Sequence, residues 1–343
     1  MKTANPNNFL DPQFMSEYFA NQVTGAEYKD VNWKNVRITP IKEDIGKFYH
    51  LVIRYDVQGI KQPIFCTANA KEDREHAYQA LTFIDDQSFF KGKLASLKPL
   101  FYDPEFKAMF YLGIDGKALL DYIKDEPEKV ESLIKLVADW LTELHQIKAD
   151  ITKHTFNPLS VRIETIAPGS RVYLEKIKKS YPGNFLDFKK IFAEINIFDE
   201  RNLRKNRQCL IHGDLHPENV VINAHDESEI TIIDYTDICV ADFARDLGNF
   251  LQQFEYMTSR YNQELSQNMA SLQKSFLNEY LNKRDLELYD ELRRRISMYM
   301  AWTAFRSATF FLTKGFAERE EAEKLIKRIP EYIDMANNNT LPF

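Results

Sequence analysis

The spacing of apolar residues shifts along this chain from a strand-like period of two to a helical period that dominates its end. Asp11-Pro12 opens a helix running to about Val23, with an acidic N-cap and proline at the first helical position. Three strand-like runs follow, Val36 to Ile41, Phe48 to Val57 and Pro63 to Thr67, rich in β-branched and aromatic residues. Their connections, Glu43 to Lys47 and Gln58 to Lys61, are short, which suits an antiparallel sheet. Lys71 to Phe83 reads as a helix with Ala77, Ala80, Leu81 and Ile84 on one side; Phe89 to Tyr102 and Phe106 to Leu112 read as further strands. Val130 to Ile147 is strongly amphipathic, with Leu133, Ile134, Val137, Leu141 and Leu144 at helical spacing. His145 closes it, where a cation suits the helix dipole, and a structural role is expected for it. Pro158, Pro168 and Pro182 break up mixed helical pieces over 150–208, and four helices are expected after Gly248, near 249–261, 263–281, 285–312 and 318–336.

Sheet, helix, more sheet and then helices is an α+β order. With 343 residues, 44% of them hydrophobic, the chain can fill two cores. The expected division is a sheet-bearing part over 1–112 and a helical part over 113–343. A net charge of −6 and the lack of a long basic run argue against nucleic acid as a partner. Arg293-Arg294-Arg295 fans around a helix and reads as a solvated face. Three cysteines, Cys66, Cys209 and Cys239, are too few and too scattered for a disulfide framework or a zinc site. No secretory signal is visible at the N-terminus, and the longest apolar stretch, Met298 to Leu312, is interrupted by Thr303, Arg306 and Ser307. The expectation is a reducing cytoplasm and no membrane.

Candidate chemistry gathers at one place. The apolar runs Leu210-Ile211 and Val220-Val221 flank the polar loop His212-Gly213-Asp214-Leu215-His216-Pro217-Glu218-Asn219, and a third run, Ile232-Ile233, ends at Asp234. Hairpin strands could bring Asp214, Asn219 and Asp234 to one side. Two acids and an amide suit metal-assisted phosphoryl transfer, with Asp214 taking the acceptor's proton and Asn219 and Asp234 holding Mg2+. A polar turn without chemistry would need Gly, Asn or Pro but not this ordered set. A metallohydrolase built on His212, Asp214 and His216 would recruit further histidines at motif spacing.

Asp214 to Asn219 keeps the interval of the protein-kinase catalytic loop. His-Gly-Asp-Leu-His-Pro-x-Asn followed by Ile-Ile-Asp-Tyr resembles the aminoglycoside phosphotransferase and choline kinase-like group. That resemblance implies a bilobal protein kinase-like fold, ATP or GTP as co-substrate with Mg2+, and a small-molecule acceptor. It makes His212 a packed scaffold and Asp246 a brace behind the loop; His216 is left open between phosphate contact, loop support and no special role. It places the hinge at Tyr111 to Gly116, where backbone groups near Leu112 and Ile114 would meet the adenine, and it matches Glu75 to the helix-C glutamate. The strand-three lysine that such a glutamate pairs with is missing, since Thr67 or Cys66 stands there. Lys47 or Arg54 would then supply the cation, with Lys61 and Lys71 less well placed. The missing lysine also supports a second reading, a nucleotide-binding or scaffold protein with little or no catalysis. Tyr256, Tyr261, Tyr299, Trp302, Phe305 and Phe310 read either as core or as an aromatic wall for a quaternary amine.

Overall fold

The computed structural model describes residues 5–87, 94–95, 97–148, 150, 156–205, 208–314 and 318–343. In chain order, helix α1 (Pro12–Gln22) precedes strands β1 (Val36–Ile45), β2 (Tyr49–Val57) and β3 (Ile64–Asn69). Helix α2 (Glu75–Asp85) leads to β4 (Leu94–Ala95), β5 (Lys98–Asp103), β6 (Ala108–Leu112) and β7 (Gly116–Ala118). Helices α3 (Leu119–Asp125), α4 (Val130–Gln146), α5 (Ser170–Ser180) and α6 (Phe185–Lys205) come next. Strands β8 (Cys209–Ile211), β9 (Val220–Asn223), β10 (Asp226–Ile232) and β11 (Cys239–Ala241) follow. Helices α7 (Ala244–Tyr261), α8 (Gln263–Ser266), α9 (Met269–Arg284), α10 (Asp290–Lys314) and α11 (Arg319–Asn337) end the chain. Two compact units result: residues 1–117 with 221–236, and residues 118–220 with 237–343.

The first unit is built on a sheet of order β1-β2-β3-β6-β5, all of it antiparallel. Alternation decides its faces. Leu51, Ile53 and Tyr55 of β2, Ile64, Cys66 and Ala68 of β3, and Phe110 of β6 share one buried cluster with Phe9, Met15 and Phe19. The N-terminal segment thus covers one face, and the Tyr55 hydroxyl fixes it by donating to the Phe9 carbonyl at 3.0 Å. His50, Val52, Arg54, Phe65, Thr67, Met109 and Tyr111 alternate onto the other face.

Strand β1 runs past its expected end at Ile41. A bulge between Pro40 and Lys42 restores pairing, so Glu43 and Asp44 lie opposite Leu51 and His50 and only residues 46–48 turn. Pairing with β2 overrides the poor strand propensity of these acids. Helix α2 starts at Glu75 rather than near Lys71. Asn69 Oδ1 accepts from the Lys71 N–H and Asp73 Oδ1 from the Glu75 N–H, local turns that compete with the helix. The four apolar residues expected on its inner side are buried. Residues 89–93 and 96 of the strand expected at 89–102 lie outside the described residues; the described part includes β4 and β5. A second sheet, β4-β10-β9-β7, is built largely on the returning segment.

The second unit is helical around α10, which packs on α7 and α11, while α4 packs on α9. Helix α7 begins at Ala244, ahead of the start expected beyond Gly248. Asp242 Oδ1 accepts from the Ala244 N–H at 3.0 Å and its carbonyl accepts from the Arg245 N–H, a turn that leads into the helix. Gly248 lies inside because α10 comes close: a Cβ there would sit 2.7 Å from Tyr299 Cβ and 2.8 Å from the Ile296 carbonyl oxygen. The helix expected over 263–281 divides into α8 and α9. Among the described residues, no helix is long and apolar enough to cross a membrane.

Candidate active site

The loop after β8 is held from behind by one buried carboxylate. Asp246 Oδ2 accepts from the His212 N–H at 2.7 Å and Oδ1 from the Gly213 N–H at 2.8 Å. His145 Nε2 stands 3.1 Å from Asp246 Oδ2, and His145 Nδ1 stands 2.8 Å from the Tyr280 hydroxyl. Burial pushes the His145 pKa down, so its ring is neutral; Nε2–H then donates to Asp246 and Nδ1 accepts from Tyr280. Burial alone would raise the Asp246 pKa, but the His145 bond and the Gly213 N–H more than offset it, and the carboxyl lies below its ordinary range. The bracing role expected of Asp246 is the one observed, as is the structural role of His145.

Gly213 is required where it stands. Its φ is +83°, and a Cβ would run into the Asp237 carbonyl. Asn249 Nδ2 donates to the Gly213 carbonyl at 2.9 Å, so α7 holds the turn at a third point. His212 is fully buried, and its Nδ1 accepts from the Asp214 N–H at 3.3 Å. That fits the scaffold role implied by the resemblance. Asn219 Nδ2 reaches back across the loop to the Asp214 carbonyl at 2.9 Å and stands 3.0 Å from His216 Nε2. His216 therefore supports the loop through Asn219. The amide nitrogen is spent on the loop, which leaves Oδ1 as the oxygen Asn219 can offer a hard cation.

The Asp214 side chain has a partner that sequence reading passed over. Arg306 of α10 donates from Nη1 to Asp214 Oδ1 at 3.0 Å and from Nη2 to Asp237 Oδ2 at 2.7 Å. Ser160 Oγ donates to the other Asp237 oxygen at 2.8 Å. The signal was present: one arginine inside the apolar run Met298 to Leu312. A cation in a buried helix face must meet an anion.

Asp234 lies in the first unit, at the end of the returning segment. Its φ is +63°, a left-handed backbone that costs a non-glycine residue energy and is concentrated at functional positions. Its Oδ1 accepts from the Thr236 N–H at 3.3 Å and from the Thr236 hydroxyl. Arg74 donates from Nη1 to the same hydroxyl at 2.6 Å. Arg74 also escaped the sequence reading, although an arginine entering a helix N-terminus opposes the dipole and is a misfit worth a question.

The remaining candidates are placed as follows. Thr67 lies on the half-buried face of β3, opposite Val52 and Met109. Glu75 is exposed at the start of α2, its carboxylate accepting from Gln79 Nε2 at 3.1 Å. Arg54 is paired with Asp56 at 2.9 Å and Asp115 at 2.8 Å. Lys47 is exposed in the first turn, 5.7 Å from the Phe48 ring centroid. Leu112 ends β6 opposite Ile64, the Gly113 N–H donates to the Pro63 carbonyl at 3.0 Å, and Ile114 is half-buried. Of the six aromatics, Tyr299, Trp302 and Phe305 are buried, the last two against Phe192, and belong to the core. The Tyr256 hydroxyl bonds Glu321, while Tyr261 and Phe310 are exposed.

The model of the phosphotransferase enzyme family matches residues 66–293, more than half of the chain. The chain belongs to this family. The membership expected from the His-Gly-Asp-Leu-His-Pro-x-Asn motif is therefore the one found. No curated protein matches this phosphotransferase. Among solved structures, it is similar to an ethanolamine kinase of Plasmodium vivax at 16% identity and a TM-score of 0.65, covering 98% of this chain and 91% of that one. It is similar to a choline kinase of Cryptosporidium parvum Iowa II at 14% identity and a TM-score of 0.62, covering 97% and 98%. A spectinomycin phosphotransferase in complex with ADP and spectinomycin aligns at 12% identity and a TM-score of 0.52, covering 89% and 94%. At these identities the likeness speaks to the fold, an α+β kinase-like fold with an antiparallel sheet ahead of a helical C-terminal part.

Proposed function

We propose that this phosphotransferase is a small-molecule kinase that transfers the γ-phosphoryl group of ATP or GTP to an acceptor hydroxyl. One observation carries the reading: Asp214 is aimed by Arg306 on a loop whose backbone is tied to Asp246. A carboxylate fixed in this way suits a general base. The acceptor oxygen attacks the γ-phosphorus, its proton passes to Asp214, and the bond from the γ-phosphorus to the bridging oxygen breaks to release the nucleoside diphosphate. Asn219 and Asp234 are the residues that would hold Mg2+, which when bound neutralises phosphate charge. Leu112 and Ile114 would flank the adenine through their backbone. The neighbours that bind ethanolamine, choline or spectinomycin set the acceptor classes to try first. All three cysteines carry free thiols, which suits a reducing cytoplasm.

ADP release from Mg·ATP or GDP release from Mg·GTP, measured over amino alcohols, aminoglycosides and sugars, tests the reading. At least one acceptor should stimulate turnover. Asp214→Asn should reduce kcat by about a thousandfold while nucleotide affinity stays within about twofold. Equal turnover in that variant removes the base assignment. Thr67 on β3, where a lysine would grip phosphates, favours the second reading of a nucleotide binder without catalysis; nucleotide binding with no turnover on any acceptor would select it.

A further inference from the structure

A kinase needs a cation over the α- and β-phosphates, and β3 presents Phe65, Thr67 and Asn69 on its less buried face, none of them charged. The basic side chains first considered are engaged elsewhere. Arg54 is shared between Asp56 and Asp115. Lys71 stands 4.5 Å from the Phe48 ring centroid, and Lys47 stands 5.7 Å from it. Lys61 lines a polar cavity of about 300 Å³ with Arg54, Gln58 and Asp115, which belongs to the far end of β2.

Arg74 has a different setting. It is 6% exposed, yet it stands at the start of a helix, where a positive charge is unfavourable. Its Nη1 donates to Thr236 Oγ1 at 2.6 Å, and that hydroxyl donates to Asp234 Oδ1, so the guanidinium lies one side chain away from the carboxylate assigned to Mg2+. Glu72, partly exposed at 3.3 Å, is its ion partner. Arg74 Nε is buried and has no hydrogen-bond partner among the described residues. Leaving a charged donor buried and unmatched is costly unless an anion completes it. Tyr111 and His50, on the half-buried face of the sheet, both feel the charges of Arg74 and Asp234. Arg74, Thr236 and Asp234 thus lie together in the first unit.

We infer that Arg74, placed from the start of α2 and steered by Thr236, is the cation that binds the nucleotide's α- and β-phosphates in place of a strand-three lysine. The inference rests on the kinase reading and names a residue for it. A guanidinium entering from the helix rather than the strand keeps the charge and adds a planar fork, which matches phosphate oxygens two at a time. Thr67 then needs no charge.

Calorimetric titration with Mg·ADP and with adenosine separates a phosphate grip from a merely structural role. Arg74→Ala should weaken Mg·ADP about tenfold to a hundredfold while adenosine affinity shifts less than about twofold. Arg74→Lys should recover part of the loss, since it returns the charge but not the fork. If Arg74→Ala fails to fold, Arg74→Gln and Arg74→Lys give the same comparison. Unchanged Mg·ADP affinity in a folded variant overturns the inference, and so does an equal loss for both ligands. A wild-type protein that binds no Mg·ADP would instead overturn the kinase reading itself.

Discussion

Arg306 links two carboxylates that need it for different reasons. Asp214 is 38% exposed at its side chain and relies on the guanidinium for direction; Asp237 is 6% exposed and relies on it for charge. Arg306→Gln should therefore lower kcat by about tenfold to a hundredfold, because the base loses its aim. It should also cost about 1–3 kcal/mol of stability, discounted for partial solvent access, because Asp237 keeps only Ser160. Adding Asp237→Asn should return most of that stability but none of the kcat. Urea unfolding of the single and double variants reads the first effect and turnover the second; stability equally low in the double variant would mean that Asp237 is not the stranded charge. At this scale the sequence is a partial guide. Asp214 and Asn219 are legible because loop geometry ties their spacing to one turn. Arg306 is not, because its partners lie 92 and 69 residues away and only packing brings them together. Arg74 is hidden for the same reason, its partner Thr236 being 162 residues further on.

At the scale of elements, α4, α7 and α9 meet the loop after β8 through the His145, Asp246 and Tyr280 chain. The chain titrates in one direction. His145 is neutral in the fold because burial lowers its pKa, so below about pH 6.5 the unfolded chain binds a proton that the folded one refuses. Asp246, held below the usual carboxylate range, adds stability that is present above about pH 4 and lost as pH falls through its folded value. Both terms weaken the fold on acidification and leave it flat above neutrality. Stability should fall, with a slope of up to about 1.4 kcal/mol per pH unit from His145, as pH drops below the unfolded value near 6.5. His50 is also pushed down by burial, so the measurement is a comparison. His145→Gln should remove one proton's worth of the slope in urea unfolding at pH 7.5, 6 and 5. An unchanged slope would show that His145 is not the buried group responsible. Helices α4, α10 and α11 were legible from their spacing, and the Asp246 brace from its place ahead of Leu247-Gly248. The start of α7 was not. Gly248 looks like a helix boundary until the close approach of α10 explains why no side chain fits there.

Over the whole molecule, the chain passes between its two units three times, at 117–118, 220–221 and 236–237. Reading in chain order suggests contiguous parts, 1–112 and 113–343, because nothing in a local pattern reveals that a later segment returns. The return has physical content. Segment 221–236 brings β10 and most of β9, a partner for β4 in the parallel pairs Ile230–Leu94 and Thr231–Ala95. It also brings Thr236 to the buried Arg74. A fragment of residues 1–117 keeps the five-stranded sheet and the N-terminal cover but loses these strands, so β4 and β7 are left as unpaired edges and Arg74 loses its hydroxyl partner. Such a fragment should be poorly soluble and should melt without a cooperative transition. Joining 221–236 to it through a flexible linker should restore solubility and a sharp transition, since the internal contacts of the unit are then complete. Differential scanning calorimetry of both fragments decides the matter. A cooperative melt for 1–117 alone would mean that the returning segment is an ornament on a self-sufficient sheet rather than part of its fold.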